Sequence, residues 1–165
     1  KYVPSENSPD FIAQGATVIS FDEKGIAQTK VKAVDFKHYS DDRVTMQHPE
    51  YTSVSPNEPI THAQADSGYS DDGGATVVFQ GNVNITRTAS DNSDSTHMQT
   101  QSLKVDTDTS RFETNDFVRI TNGANEATAK GMIFDNMERT IELKSRVKTI
   151  SSPKSGNVDL LPNSN

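Results

Sequence analysis

The chain has 165 residues, carries a formal net charge of -7 and contains no cysteine and no tryptophan. Without cysteine, thiolate zinc sites, disulfide frameworks and thiol catalysis are excluded. Nucleic acid is a poor partner for an acidic chain, since that affinity depends on Lys and Arg contacting phosphates. Only 32% of the residues are hydrophobic, whereas an average soluble domain, with Gly counted, has about 45–50%. The chain is therefore either partly disordered or an all-β domain with one apolar face.

Alternation of apolar and polar residues is the dominant pattern, and it is typical of half-buried strands. It appears weakly at 27–33 and clearly at 76–86, 117–121 and 140–148. No segment carries a sustained helical stripe of apolar residues. Short clusters of Gly, Asn, Asp and Ser separate the alternating segments, and such residues form tight turns. The pattern predicts a many-stranded sheet.

These boundaries predict one domain. We expect a single all-β domain over 11–150, preceded by a flexible segment at 1–10. A mobile tail is expected at 151–165, where turn-forming residues outnumber apolar anchors.

A short internal repeat adds to this interpretation. Segment 61–67 recurs as 96–102 with Thr, His, Gln and Ser at the same positions. A strand follows each copy, so a repeat of this kind favours a layered β architecture. The repeat gives His62 and His97 equivalent positions, and the sequence leaves open whether they are neighbours.

No motif supports catalysis or a resident cofactor. The nucleophile elbow, the P-loop and the dinucleotide-binding glycine pattern are all absent from the sequence. The four histidines, His38, His48, His62 and His97, lack the spacing of a metal site. The Asp-rich segments 91–94 and 106–108 lack the ligand offsets of an EF-hand loop. We predict no enzyme, no metal and no cofactor, although a pair of glycosidase carboxylates cannot be recognised from sequence alone.

Positive charge is concentrated near the end of the expected domain. Residues 130–154 hold six basic and three acidic residues, a local balance of +3. Two interpretations are open: a patch that faces anions, or lysines that protect the edge of a sheet.

Several segments, in order, resemble the LptC family of the lipopolysaccharide export system and its LptA/OstA-like relatives. The resemblance extends over roughly 11–150 and rests on the residues at 21–25, 38–42, 59–66, 78–83, 98–103, 114–118 and 129–132. It implies a twisted, open antiparallel β-jellyroll in which two facing sheets form a V-shaped groove. It also implies a non-enzymatic protein that receives lipopolysaccharide from an inner-membrane ABC transporter and passes it to LptA.

The groove of this family binds acyl chains on the inward positions of its strands. Strand parity in this sequence predicts sixteen such positions: Val31, Ala33, Val77, Phe79, Val83, Ile85, Leu103, Val105, Phe112, Val118, Ile120, Met132, Phe134, Ile141, Leu143 and Val147. A rim that faces lipid phosphates is predicted at Lys144, Arg146 and Lys148.

The resemblance also implies partners and a location. The N-terminal edge, 11–20, would meet the periplasmic domain of the transporter (LptF/LptG), and the C-terminal edge, 140–150, would meet LptA. The location would be the periplasm, with an inner-membrane anchor helix preceding Lys1. Three alternatives remain open: the soluble bridge protein LptA, a structural or adhesive β-solenoid without a lipid ligand, and a carbohydrate-active jellyroll enzyme.

Overall fold

The computed structural model describes residues 8–56, 58–88 and 94–151, and over these residues the protein consists of strands and turns only. Thirteen strands follow one another along the chain: β1 (Phe11–Gln14), β2 (Thr17–Phe21), β3 (Ala27–Lys32), β4 (Asp35–His38), β5 (Val44–Gln47), β6 (Glu50–Ser53), β7 (Thr61–Gln64), β8 (Ser67–Ser70), β9 (Thr76–Arg87), β10 (Thr96–Asp106), β11 (Arg111–Asn122), β12 (Asn125–Asp135) and β13 (Thr140–Ile150). All pairings are antiparallel.

The thirteen strands behave as nine bent arms. Each of the pairs β1–β2, β3–β4, β5–β6 and β7–β8 is one long strand broken by a short corner, and each of β9 to β13 is a single strand with an irregularity near its middle. The corners remain hydrogen-bonded to one another: Gly15 N–H donates to Val34 O at 2.9 Å, and Asp66 N–H donates to Gly81 O at 2.9 Å. The corners therefore lie side by side, and the whole sheet bends along the line that they form.

Backbone conformation explains why the arms bend at these residues. Gly15, Gly81 and Gly131 have φ of 62°, 83° and 89°, a region that glycine adopts at little cost. A Cβ on Gly81 would also lie 2.6 Å from Asp66 Oδ2, so a larger residue there would require the Asp66 side chain to move. An extra residue and a left-handed backbone bend a strand and increase its twist.

The bends divide the sheet into two half-sheets that share β9 to β13. Half-sheet A runs β1-β4-β5-β8 and continues into 76–80, 102–106, 111–114, 132–135 and 140–143. Half-sheet B runs β2-β3-β6-β7 and continues into 83–87, 96–100, 117–122, 125–128 and 145–150. The predicted all-β jellyroll is confirmed, with one refinement: the two facing sheets are branches of one continuous sheet.

Aromatic packing shows that the half-sheets face each other. The ring of Tyr51, on β6 of half-sheet B, meets the ring of Phe112, on β11 of half-sheet A, edge to face with centroids 5.5 Å apart. Phe112 in turn stacks on Phe134 at 5.3 Å. All three side chains have no solvent exposure. The apolar core thus lies between the two half-sheets.

The strands predicted at 27–33, 76–86, 117–121 and 140–148 correspond to β3, β9, β11 and β13. The two repeat copies lie on either side of β9, because both His62 and His97 pair with Thr86. The two histidines are therefore one strand apart rather than adjacent. No helix long and apolar enough to cross a membrane occurs in the described ranges. The ends predicted to be flexible, 1–10 and 151–165, fall largely outside the described residues.

Candidate functional site: the groove between the half-sheets

The sixteen predicted groove residues all lie on the inner face of the bent sheet. Twelve of them are buried in the core, and the other four, Val31, Ile141, Leu143 and Val147, are half-buried against it. Their side chains therefore form one continuous apolar surface between the half-sheets. In the closed arrangement seen here, most of that surface is covered by the opposite half-sheet.

An open cavity of about 220 Å³ interrupts this packing near the N-terminal edge. One wall comes from β2 and β3 of half-sheet B, and the other from β4, β5, β8 and the start of β9 in half-sheet A. The apolar lining residues are Val18, Val31, Phe36, Val44, Met46 and Val77. Removing one CH₂ group from water contributes about 0.8 kcal/mol, so this cavity favours a hydrocarbon chain over a polar ligand.

Four of these cavity residues, Val18, Phe36, Val44 and Met46, are absent from the predicted set. Strands β4 and β5 have only four residues each, which is too short for alternation to stand out from chance. Phe36 carries a usable signal, because it lies between polar residues in Asp35-Phe36-Lys37. Val44 and Met46 share a face of β5 in the same way.

A hydrogen-bonded clasp crosses the mouth of the groove, where the strand ends of the two half-sheets meet. Asn136, in the β12–β13 turn of half-sheet A, is fully buried. Its Oδ1 accepts from Thr61 Oγ1 at 2.9 Å, and its Nδ2 donates to Pro59 O and Glu58 Oε1, each at 3.1 Å. Thr61, Pro59 and Glu58 all belong to half-sheet B or the loop that leads into it. The clasp therefore joins the half-sheets over the Phe112–Phe134 stack.

The predicted phosphate-facing rim lies on the C-terminal edge strand. Lys144 Nζ donates to Glu113 Oε2 and to Asn115 Oδ1, each at 2.7 Å. The hydrogen bond from Lys144 lowers the pKa of Glu113 below its ordinary value. Because the neighbouring inward residues are Phe112 and Leu143, this ion pair lies on the outer face of the sheet. Arg146 and Lys148 are exposed on β13.

Both ends of the sheet are edges in the described residues. Strands β1 and β2 pair only with β4 and β3, and β13 pairs only with β12. Exposed apolar side chains are concentrated along the first of these edges: Phe11, Ile12, Val18, Ile19 and Phe21. An unpaired edge can add a strand from another chain.

No group of metal-ligating side chains occurs in the part of the chain that the structure describes. Asp106, from one Asp-rich segment, accepts hydrogen bonds from the backbone N–H groups of Asp108 and Thr109 at 3.1 and 3.2 Å. This carboxylate therefore stabilises the turn itself. Of the other Asp-rich segment, 91–94, residues 91–93 lie outside the described residues.

Comparison with known proteins agrees with this architecture. The family model for LptC-related lipopolysaccharide-assembly proteins matches residues 2–152. The crystal structure of LptH, the LptA-homologous periplasmic component of the lipopolysaccharide transport device of Pseudomonas aeruginosa, superimposes with a TM-score of 0.56. That alignment has 12% sequence identity and covers 87% of this chain and 94% of LptH, so it shows the fold alone. No curated protein matches the chain. The chain belongs to the LptC-related family of lipopolysaccharide-assembly proteins, which are non-enzymatic transport proteins of the periplasm.

Proposed function

We propose that this domain binds the acyl chains of lipopolysaccharide between its two half-sheets, receives the lipid from the inner-membrane ABC transporter and passes it to LptA. The observation that carries the proposal is the cavity of about 220 Å³, which opens onto an inner face made of apolar side chains. Hydrocarbon chains placed in this cavity would complete the core at the end where the half-sheets do not close on each other. A purely structural solenoid does not require an apolar cavity of this kind.

A partly open groove suits transfer better than a sealed cavity. A stretch of ten methylenes removed from water would contribute roughly 8 kcal/mol, and several chains held this tightly would dissociate too slowly for transport. If the groove abuts a similar groove in the next protein, the chains move between equivalent apolar surfaces with little change in free energy. Direction then comes from the transporter, since this sequence contains no nucleotide-binding motif.

The two edges of the sheet supply the proposed docking surfaces. The β1–β2 edge would pair with the periplasmic domain of the transporter (LptF/LptG), which would cover the exposed side chains of Phe11, Ile12 and Ile19. The β13 edge would pair with LptA. The line of grooves would then run from the membrane through this domain, with an anchor helix before Lys1 holding the domain at the inner membrane.

Photo-cross-linking tests the lipid-binding proposal directly. A photoreactive amino acid at Phe36 or Val31 faces the cavity, whereas one at Gln99 or Thr121 lies on the opposite face of the sheet. We expect saturable labelling by lipopolysaccharide from the first pair and background labelling from the second. Equal labelling at all four positions, or none at the cavity positions, would reject the groove as the binding site.

A charge placed in the cavity should prevent binding. Val44 lines the cavity, and Thr45 follows it on the other face of β5. Val44→Glu is expected to weaken lipopolysaccharide binding by about tenfold or more, because an unpaired carboxylate in an apolar site is costly to desolvate. Thr45→Glu serves as the matched control and should bind as the parent does. The measurement is half-saturation in the cross-linking assay, and equal effects of the two variants would contradict the assignment.

The C-terminal edge can be tested with a similar matched pair. Ile150, the last residue of β13, has 66% of its side chain exposed, and Ile60, in the β6–β7 loop, has 58% exposed. Ile150→Asp is expected to reduce capture of purified LptA about fivefold or more, since charge on an edge strand opposes strand addition. Ile60→Asp should have no effect on capture.

Val147, three residues earlier on β13, packs against the core. A proline or a reversed charge there perturbs the interior as well as the edge. Ile150 separates the two effects, because thermal unfolding of Ile150→Asp should match that of the parent. Undiminished capture of LptA by this variant would argue against pairing through β13.

A further inference from the structure

Arg87, on β9, is a cation at an inward position of the sheet. Along β9, Val83 and Ile85 face the core, and Arg87 is the next residue of the same parity. Its guanidinium lies over the ring of Phe134, with the central carbon 5.5 Å from the ring centroid. Arg87 is half-buried and is flanked in the sheet by Thr61 and Thr96, both of which are buried. A cation therefore lies at the end of an otherwise apolar series of inward residues.

A second cation, Arg139, approaches the first from the opposite half-sheet. It lies in the β12–β13 turn, three residues after Asn136, and Asn136 accepts a hydrogen bond from Thr61, the strand neighbour of Arg87. Burial lowers the pKa of Arg87, and the nearby charge of Arg139 lowers it further. The hydrogen bond between Thr61 and Asn136 therefore brings the two arginines to the same part of the mouth of the groove.

The acidic side chains of this region form hydrogen bonds with groups other than the two arginines. Glu58 Oε1 accepts from Asn136, and Asp135 Oδ1 accepts from the backbone N–H of Glu138. Among the residues that the structure describes, none forms an ion pair with Arg87 or Arg139. Two cations that form no ion pair of their own would be stabilised by an anion placed between them.

We propose that Arg87 and Arg139 form a binding site for the phosphate of a glycolipid headgroup at the mouth of the groove. Guanidinium groups bind phosphate oxygens with paired, charge-assisted hydrogen bonds, and two of them can hold one phosphate from both sides. Chains held between the half-sheets would leave the headgroup at the strand ends, where both arginines lie. The site rests on the proposed function, because it places the headgroup of the lipid whose chains occupy the groove.

This site differs from the rim predicted at Lys144, Arg146 and Lys148. Lys144 is engaged by Glu113 and Asn115 on the outer face. Alternation of apolar residues identifies inward positions by their hydrophobic side chains, so it does not select Arg87. The available signal was an arginine at the end of the inward series Val77, Phe79, Val83, Ile85.

The test compares two lipids that differ in one phosphate. A photoreactive amino acid replaces Val44, and its cross-linking is measured with lipid A that carries both phosphates and with the same lipid A lacking one of them. For the parent domain we expect half-saturation at about tenfold lower concentration with the fully phosphorylated lipid, the effect of one charge-assisted contact. In Arg87→Gln/Arg139→Gln the two lipids should become equivalent.

Four further variants serve as controls. Lys104→Gln/Lys130→Gln removes two cations from the outer face and should keep the tenfold ratio. Arg139→Gln alone alters an exposed side chain and should reduce the ratio without affecting folding, while Arg87→Lys keeps the charge and should retain part of it. A ratio lost in Arg146→Gln/Lys148→Gln but kept in Arg87→Gln/Arg139→Gln would overturn the assignment in favour of the β13 rim.

The outcomes separate this inference from the proposed function. If neither lipid labels the parent at Val44 or Phe36, the proposed function fails. If both label it with equal half-saturation, lipid binding stands and the phosphate site is rejected. Inorganic phosphate supplies the last comparison: a thermal shift that depends on Arg87 and Arg139, together with equal half-saturation by the two lipids, would assign the site to free phosphate and overturn the headgroup proposal.

Discussion

Phe112→Ala is expected to lower the free energy of unfolding by about 3–5 kcal/mol, the usual cost of removing a fully buried aromatic side chain. Phe112 has no solvent exposure and contacts the rings of both Tyr51 and Phe134. Tyr51 belongs to half-sheet B, whereas the other two belong to half-sheet A. The substitution therefore removes packing within one half-sheet and also contact between the two. A domain with a free energy of unfolding of about 5–15 kcal/mol would lose a large part of its stability.

The matched control is on the same strand. Phe117, five residues along β11, has 56% of its side chain exposed and lies beyond the bend. Phe117→Ala should change the free energy of unfolding by no more than about 0.5 kcal/mol, as is usual for surface positions. Urea unfolding followed by circular dichroism measures both variants. A similar loss in the two would mean that the half-sheets do not pack against each other through Phe112.

Ligand binding adds a second readout for this variant. The cavity left by Phe112→Ala lies in the same apolar face that is proposed to accept acyl chains. A chain that fills it would restore part of the lost stability, because a ligand that binds only the folded state stabilises it. We expect lipopolysaccharide to raise the unfolding temperature of Phe112→Ala more than that of the parent.

The inner face was predictable from sequence because the long strands carry it. Strands β9 to β13 have 11 or 12 residues each, so alternation of apolar residues stands out within each half of a strand, although the inward parity changes at the bend in β10 and β12. All sixteen predicted groove residues are buried or half-buried on that face. The same parity identifies neither which positions are open nor where the half-sheets touch, since both depend on how the arms bend.

The cavity and the clasp were not predictable from the sequence, because both depend on how the arms bend. Most of the cavity wall comes from strands of four to six residues, where two apolar residues are too few to define a pattern. The clasp joins Thr61 to Asn136, which are 75 positions apart, and an asparagine in an Asp-Asn turn looks like an ordinary turn residue. Its burial becomes evident only when the twist brings the β12–β13 turn against the β6–β7 loop.

The second large effect is expected at this clasp. Asn136→Ala should lower the free energy of unfolding by about 2–4 kcal/mol, because it removes a buried hydrogen bond to Thr61 and two partly buried ones to Pro59 and Glu58. Asn125 provides the control: it is also buried, but its Oδ1 has no hydrogen-bond partner. Asn125→Ala should cost less, and chemical denaturation of the two variants makes the comparison.

A double-variant cycle isolates the contact across the mouth. Thr61→Val combined with Asn136→Ala should cost about 1 kcal/mol less than the sum of the single variants, since the two side chains share one hydrogen bond. Additive costs would mean that the bond contributes nothing to closing the groove.

The clasp also has a kinetic consequence under the proposed function. If it holds the half-sheets closed over the Phe112–Phe134 stack, Asn136→Ala should speed the labelling of a photoreactive group at Leu143 by lipopolysaccharide, while labelling at Val44, in the open cavity, keeps its rate. Asn125→Ala, which leaves the mouth intact, should change neither rate. A loss of stability without faster labelling at Leu143 would make Asn136 a purely structural residue. Faster labelling confined to Leu143 would make the mouth of the groove the barrier that acyl chains cross.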